Sequence, residues 1–215
     1  MLFQMRVPAV GRWVSVSESQ MTNAPILSWH VCISGFTQRE NSLHGIVRLW
    51  RDLHGKLESA ESVVSLRTWN SRWADLAEHI LLIQQNQGQQ IRIAVYAYSY
   101  GAGWGLVQFA KQLRRRGLWV DVAVLADPVY RSPWLLFRWL AMTSWRQVTI
   151  PSNVKLVRWF YQRQNLPQSQ GVVAENCKQT LITEGQELLC DHEYADDSLQ
   201  FHESCHAAAE ALWSA

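Results

Sequence analysis

The chain has 215 residues, of which 48% are hydrophobic and 18% are charged, and its formal net charge at pH 7 is +2. This length suffices for one full hydrophobic core, so we expect a single domain over residues 1–215. The small net charge gives no indication of nucleic acid as a partner. We see no secretory signal and no apolar stretch of the ~20 residues that a membrane-spanning helix needs, so we expect a cytoplasmic protein without an integral membrane segment.

From residue 29 onward, short apolar runs alternate with segments of helical periodicity. The apolar runs predict buried strands at 29–34, 63–69, 91–98, 119–126 and 154–161, with a last strand inside 180–190. Between them, apolar residues recur at helical spacing. Strands that alternate with amphipathic helices predict an α/β fold, a three-layer α/β/α sandwich around a mostly parallel sheet.

The helix boundaries are predicted from capping signals. Gly55 is expected to end a helix that starts near Leu43, and Asn70 is expected to cap the next helix, which ends near Gly88. Gly117 should end the third helix after a run of three arginines. Asp197 or Ser198 should cap a closing helix with an inward face of Phe201, Cys205, Ala208 and Leu212.

The strongest chemical signal lies where the third predicted strand meets its helix, at residues 97–101, Ala-Tyr-Ser-Tyr-Gly. Small residues at both ends allow a sharp turn that holds the Ser99 hydroxyl above the sheet. A serine-capped turn and a glycine-rich phosphate loop are the alternatives. The spacing Gly101-x-Gly103-x-Gly105 matches neither GxxxxGK[ST] nor GxGxxG, so we predict that Ser99 is a nucleophile.

Two segments carry a family resemblance. Residues 34–36, Ser-Gly-Phe, and residues 97–101 resemble the oxyanion loop and the nucleophile elbow of the α/β-hydrolase family, in particular its small lipases, esterases and thioesterases. Ser34 stands where the family has histidine, and Ala97 where it usually has glycine. The resemblance covers residues 29–129 and implies an oxyanion hole formed by the backbone N–H groups of Phe36 and Tyr100.

A serine nucleophile needs a base, and the base needs an orienting acid. The resemblance implies the chain order serine, acid, histidine. Asp127 ends the strand that follows the elbow, whereas the next strand has no carboxylate after it until Glu175, so we predict that Asp127 is the acid. The alternative is a turn that begins at an Asp-Pro pair.

Three of the seven histidines follow the serine, namely His192, His202 and His206. His192 lies in a loop before the closing helix, where the resembled family places its catalytic histidine, and we predict that it is the base. The other two lie within the predicted helix, where a packed or exposed ring is expected.

Residues 202–206, His-Glu-Ser-Cys-His, also match HExxH, which on a helix can bind zinc with two imidazoles. Glu210 is the acid that follows, and it lies only one turn further, too near for the usual third ligand. A zinc hydrolase is therefore the weaker alternative.

Residues 130–142 are apolar nearly all round, and either a lid over an acyl pocket or a helix that covers the sheet fits that pattern.

We therefore expect a serine hydrolase that cleaves a carboxylic ester or thioester through Ser99, His192 and Asp127, with an acyl-enzyme intermediate and without a metal or other cofactor. The expected partner is a small-molecule or lipid-like acyl ester. A non-catalytic binding protein of the same fold is the alternative from another functional class.

Overall fold

A computed structural model of the chain describes residues 2–6, 13–17, 26–36, 38, 43–57, 61–88, 90–130 and 146–213. The helices are α1 Gly45–Leu57, α2 Trp73–Gln87, α3 Leu106–Arg114 and α4 Leu199–Trp213. The strands are β1 Leu2–Arg6, β2 Trp13–Ser17, β3 Ile26–Ser34, β4 Ser62–Thr68, β5 Gln90–Tyr98, β6 Val120–Ala126, β7 Gln147–Ile150, β8 Val154–Tyr161, β9 Gly171–Ala174, β10 Leu181–Ile182 and β11 Gln186–Glu187.

The central sheet is parallel throughout and has the strand order β4-β3-β5-β6-β8-β10, with β11 also paired to β8. The predicted parallel sheet is confirmed. From β3 the chain continues to β4, toward one edge of the sheet, and from β5 it continues to β6, toward the other edge. In open α/β sheets, a crevice forms at such a switch point. Two further strand pairs lie outside this sheet: β1 and β2 are antiparallel, and β7 and β9 are parallel.

Two hydrophobic cores cover the two faces of the central sheet. One joins the sheet to α2 and α3, and the other joins it to α1 and α4. Side chains of β5 alternate between them, since Val95 packs in the first core and Tyr96 in the second. The three-layer α/β/α arrangement is thereby confirmed. The predicted inward face of α4 is buried as expected, at Phe201, Cys205, Ala208 and Leu212.

Three of the predicted helix ends agree with the structure. Gly88 and Gly117 have φ angles of 63° and 73°, the left-handed conformation that glycine adopts without steric cost. The Ser198 hydroxyl accepts a hydrogen bond from the Phe201 N–H group at 3.4 Å, which confirms the cap of the closing helix.

Two predicted boundaries are wrong. Helix α1 continues through Gly55 to Leu57, and Gly55 does not have the left-handed conformation of a glycine that ends a helix. Leu43 lies before the helix, with 78% of its surface exposed. Asn70 does not cap α2, which begins at Trp73. The Asn70 side chain instead accepts a hydrogen bond from the hydroxyl of Thr68 at 2.9 Å.

The strand predicted inside 180–190 is two short strands, β10 and β11, which pair successively with β8. The sequence reading did not predict β7 or β9. The lid or covering helix proposed at 130–142 lies, except for Tyr130, outside the described residues. Across the described part of the chain, no helix combines the length and hydropathy needed to span a membrane.

Candidate active site

Ser99 lies in a strained turn between β5 and the helical segment that leads into α3. Its φ angle is 52°, which is uncommon for a residue other than glycine. Four backbone hydrogen bonds hold the turn, one of which Val129 N donates to Ser99 O at 3.1 Å. Ser99 N donates to Ala126 O at 2.9 Å, and the N–H groups of Ala102 and Gly103 donate to Ser99 O at 3.1 and 3.0 Å. The turn therefore fixes the serine at the carboxyl end of the sheet.

Two glycines allow the backbone to pass close to its neighbours here. A Cβ atom at Gly101 would lie 2.6 Å from Ser34 O, and one at Gly103 would lie 2.1 Å from Val129 O. Real Cβ atoms do not approach backbone oxygens so closely. Glycine at both positions therefore brings the Ser99 turn against the end of β3 and the segment that follows β6.

The structure brings Ser99, His192 and Asp127 together. Ser99 Oγ lies 2.9 Å from His192 Nε2, within hydrogen-bond distance. On the other side of the ring, His192 Nδ1 donates a hydrogen bond to Asp127 Oδ2. This pairing leaves Nε2 as an acceptor for the serine hydroxyl proton. A hydroxyl, imidazole and carboxylate in this order can activate the oxygen as a nucleophile.

Asp127 follows β6 and is fully buried, with a φ angle of 47°. Its N–H group donates to Phe160 O at 2.8 Å. Its carboxylate also accepts hydrogen bonds from Gln162, at 3.0 Å from the side-chain amide and 3.4 Å from the backbone N–H. A buried carboxylate requires such donors, because its charge has lost the hydration that it has in water.

Gln162 and Asn165 hold Asp127 and His192 in place by hydrogen bonds. The sequence analysis missed both residues. Gln162 is fully buried, and its amide nitrogen also donates to Asn165 O at 3.2 Å and to Pro167 O at 2.9 Å. Its amide oxygen accepts from the N–H group of Asn165 at 3.1 Å. Asn165 Oδ1 in turn accepts from His192 N at 2.7 Å.

Tyr98 also contacts His192, through its hydroxyl and its ring. Its hydroxyl donates to His192 O at 2.8 Å, and the centroids of the two rings are 5.2 Å apart. Burial raises the pKa of the Tyr98 phenol above its ordinary range, which keeps the hydroxyl protonated as a donor. A Cβ atom at Gly35 would lie 2.9 Å from the Tyr98 ring, so the loop after β3 packs directly on this tyrosine.

A cleft of about 220 Å³ opens above Ser99. Phe36 and Tyr100, the residues proposed to supply oxyanion donors, both line it. Their ring centroids are 6.1 Å apart, and each ring also packs on Trp69, at 5.4 and 4.8 Å respectively. The remaining residues that line the cleft are Tyr98, Val129, Pro167, His192 and Glu193.

The histidines of the HExxH segment lie elsewhere on α4. His202 Nε2 donates a hydrogen bond to Asp196 O at 2.8 Å, so that ring nitrogen is already used. Burial lowers the pKa of His206. Within the described ranges, no group of three or more histidine, cysteine or carboxylate residues is arranged to hold a metal ion.

Comparison with known proteins does not assign the chain to a family. No protein-family model matches the chain, and no curated protein matches it at a significant level.

Proposed function

We propose that the protein is a serine hydrolase that cleaves carboxylic esters or thioesters through an acyl-enzyme. The observation that carries the proposal is the hydrogen-bonded series from Ser99 through His192 to Asp127 at the base of a cleft. The chain order of the three residues and the strained strand-to-helix turn at the serine support membership of the α/β-hydrolase fold.

In the proposed reaction, Ser99 Oγ attacks the carbonyl carbon of the substrate while His192 Nε2 accepts the hydroxyl proton. The carbonyl oxygen becomes an oxyanion, and the N–H groups of Phe36 and Tyr100 stabilise it. Collapse of this intermediate breaks the bond to the leaving group. His192 returns its proton to the departing alcohol or thiol, and the acyl group stays on Ser99.

The second half of the reaction releases the acid. His192 accepts a proton from a water molecule as the water oxygen attacks the acyl carbonyl. The second tetrahedral intermediate then expels Ser99, which recovers its proton from His192. Throughout, Asp127 holds the ring with Nδ1 protonated and stabilises the imidazolium that forms in each step.

The cleft supports an apolar acyl group as the substrate moiety. Phe36, Tyr100 and Val129 line it beside Ser99, and Phe36 remains 61% exposed although it is aromatic. Apolar and aromatic walls with few polar groups are typical of small-molecule sites. A small-molecule or lipid-like acyl ester fits these walls, and the proposed chemistry requires no cofactor.

Turnover of model substrates tests the proposal. The purified protein should hydrolyse a short-chain nitrophenyl ester or an acyl thioester, and a metal chelator should leave the rate unchanged. Loss of activity on chelation and its return with Zn²⁺ would instead support the HExxH alternative. A folded protein that turns over neither substrate would support the non-catalytic binding protein.

A further inference from the structure

We propose that Gln38 and Asp196 are positioning residues, which together hold the loop that carries Phe36 against the segment that carries His192. This inference rests on the proposed hydrolase function, because it concerns the orientation of the oxyanion donor. Neither residue touches the cleft, and neither takes part in the bonds that join Ser99, His192 and Asp127.

Asp196 provides the fixed end of this connection. It is fully buried, and its Oδ2 atom accepts hydrogen bonds from the side-chain amide of Gln38 at 2.7 Å and from Ile46 N at 2.9 Å. Ile46 lies in the first turn of α1, where exposed N–H groups and the helix dipole favour a carboxylate. Asp196 is thus anchored to the start of a 13-residue helix.

Gln38 connects Asp196 to the loop after β3, which carries Phe36. The Gln38 side chain is buried, and its amide oxygen accepts a hydrogen bond from Gly35 N at 3.0 Å. The Ser34 hydroxyl also donates to Gln38 O at 3.5 Å. Gly35 immediately precedes Phe36, so the bond to Gln38 restricts rotation of the backbone that aims the Phe36 N–H group.

The same carboxylate belongs to the segment that begins with the proposed base. Residues His192–Asp197 form a short 3₁₀ helix, with His192 at its first position and Asp196 near its end. This helix packs closely on α1, since a Cβ atom at Gly45 would lie 2.0 Å from Asp196 O. The hydrogen bonds from Asp196 through Gln38 to Gly35 therefore connect both sides of the cleft.

The energetics of Asp196 argue for a role other than stability. Its Oδ1 atom is buried and has no hydrogen-bond partner among the described residues. Burial also raises the pKa of its carboxyl, which means that the folded protein disfavours the charged form. A buried carboxylate in this situation destabilises a fold relative to an apolar side chain. An apolar side chain at this position could not accept the hydrogen bonds that Gln38 and Ile46 donate to Asp196.

Four variants test this inference by steady-state kinetics. Gln38→Met keeps the length of the side chain but removes both hydrogen bonds, so kcat should fall on the order of 10-fold to 100-fold. Removal of an entire oxyanion donor costs more, about 10²–10³ in kcat. KM should change less than kcat, because the oxyanion that the Phe36 N–H group stabilises forms only in the transition state. Asp196→Ala should give the same result, because Gln38 then loses its anchor.

Asp196→Asn should retain nearly the wild-type kcat, because the amide oxygen can accept from Gln38 and Ile46 as Oδ2 does. Arg48→Ala is the matched control. It removes the ion pair between Arg48 and Asp197, at the same contact between α1 and the 3₁₀ helix, without touching Gln38. Its kcat should equal that of the wild type.

The outcomes separate the two proposals. A wild-type kcat in folded Gln38→Met would overturn the positioning role while the hydrolase function stands. Equal losses in Gln38→Met and Arg48→Ala would show that the contact is merely structural. If Gln38→Met does not fold, Gln38→Asn gives the same comparison, because its amide is one methylene short of spanning Gly35 and Asp196. An inactive, folded wild type would overturn the hydrolase function and this inference together.

Discussion

Asp127 and Gln162 are joined by two hydrogen bonds, which the side-chain amide and the backbone N–H of Gln162 donate to the two carboxylate oxygens. Both residues are fully buried, and each immediately follows one of two neighbouring strands of the central sheet, β6 and β8. The carboxylate that orients His192 is therefore itself oriented by the loop after β8.

The Gln162→Glu substitution should disrupt this arrangement, since it replaces a donor by an acceptor that faces Asp127 and two backbone carbonyl groups. Two buried carboxyls at this distance cannot both ionise, and the pKa of one must rise. We expect a lower melting temperature and a kcat reduced by about 10-fold or more, because imidazolium formation depends on the Asp127 charge. Kinetics and thermal unfolding measure the two effects.

Gln164→Glu is the control for that variant, because it introduces the same charge two residues away at an exposed position. It should leave both the melting temperature and kcat close to those of the wild type. If both variants lose activity equally, added charge in the loop is responsible and the contact with Asp127 is not.

Asp127→Asn tests the role of the carboxylate itself. Asparagine tolerates the left-handed backbone at this position, so the fold should be retained. The amide can no longer hold the ring with Nδ1 protonated or stabilise the imidazolium, so kcat for ester hydrolysis should fall by a factor on the order of 10⁴. Near-normal kcat in a variant with a native circular dichroism spectrum would remove Asp127 from the mechanism.

A pair of glycine substitutions tests the packing around the serine turn. Gly103→Ala would place a Cβ atom 2.1 Å from Val129 O, so the turn must shift away from the segment after β6. We expect a loss of stability of several kcal/mol, as for other overpacked sites. Gly55→Ala is the control, because nothing lies within 4 Å of a Cβ atom there. Within α1 it should stabilise the protein by about 0.5–1 kcal/mol, and urea unfolding measures both changes.

The buried residue His30 should make stability depend on pH. Burial lowers its pKa from 6.5 to about 4, while its Nδ1 atom is hydrogen-bonded with the hydroxyl of Tyr96 at 3.0 Å. Between these two pH values the unfolded chain binds a proton that the folded protein does not. The free energy of unfolding should therefore fall as the pH drops from 6.5 toward 4.

This contribution amounts to a few kcal/mol, since one pKa unit corresponds to about 1.4 kcal/mol. His30→Gln should remove it and flatten the dependence of unfolding free energy on pH in that window. The same substitution at the exposed His54 should leave the dependence as in the wild type. An unchanged slope in His30→Gln would show that other groups cause the acid sensitivity.

The sequence predicted most of the sheet because its strands are short apolar runs between amphipathic helices. The predicted strand at 154–161 coincides with β8, and the other four differ from their observed bounds by at most three residues. Strands β7 and β9 were missed because each has only four residues and pairs outside the central sheet. The predicted helix end at Gly55 was wrong, because the sequence alone does not distinguish a glycine on an exposed helix face from a glycine that ends a helix.

Ser99 and Asp127 could be proposed from the sequence because strand ends and a sharp turn leave local signals, whereas His192 was proposed from the family resemblance. Ser99 and Asp127 both follow apolar strands, and both adopt positive φ angles. Gln38, Gln162 and Asn165 had no such signal, because an amide in a loop resembles any solvated side chain. Their roles depend on contacts across 27 to 158 positions of the chain, which only the fold reveals.

Reaction with a fluorophosphonate probe tests the central claim most directly, because only an activated serine forms the covalent adduct. The wild type should label at Ser99, and Ser99→Ala should not label, although its fold is retained because alanine and serine meet the same backbone strain. His192→Ala should label far more slowly, because no base remains to accept the hydroxyl proton, whereas His206→Ala should label at the wild-type rate. Peptide mass spectrometry locates the adduct. A folded wild type that does not label, or a Ser99→Ala variant that labels like the wild type, would contradict the account.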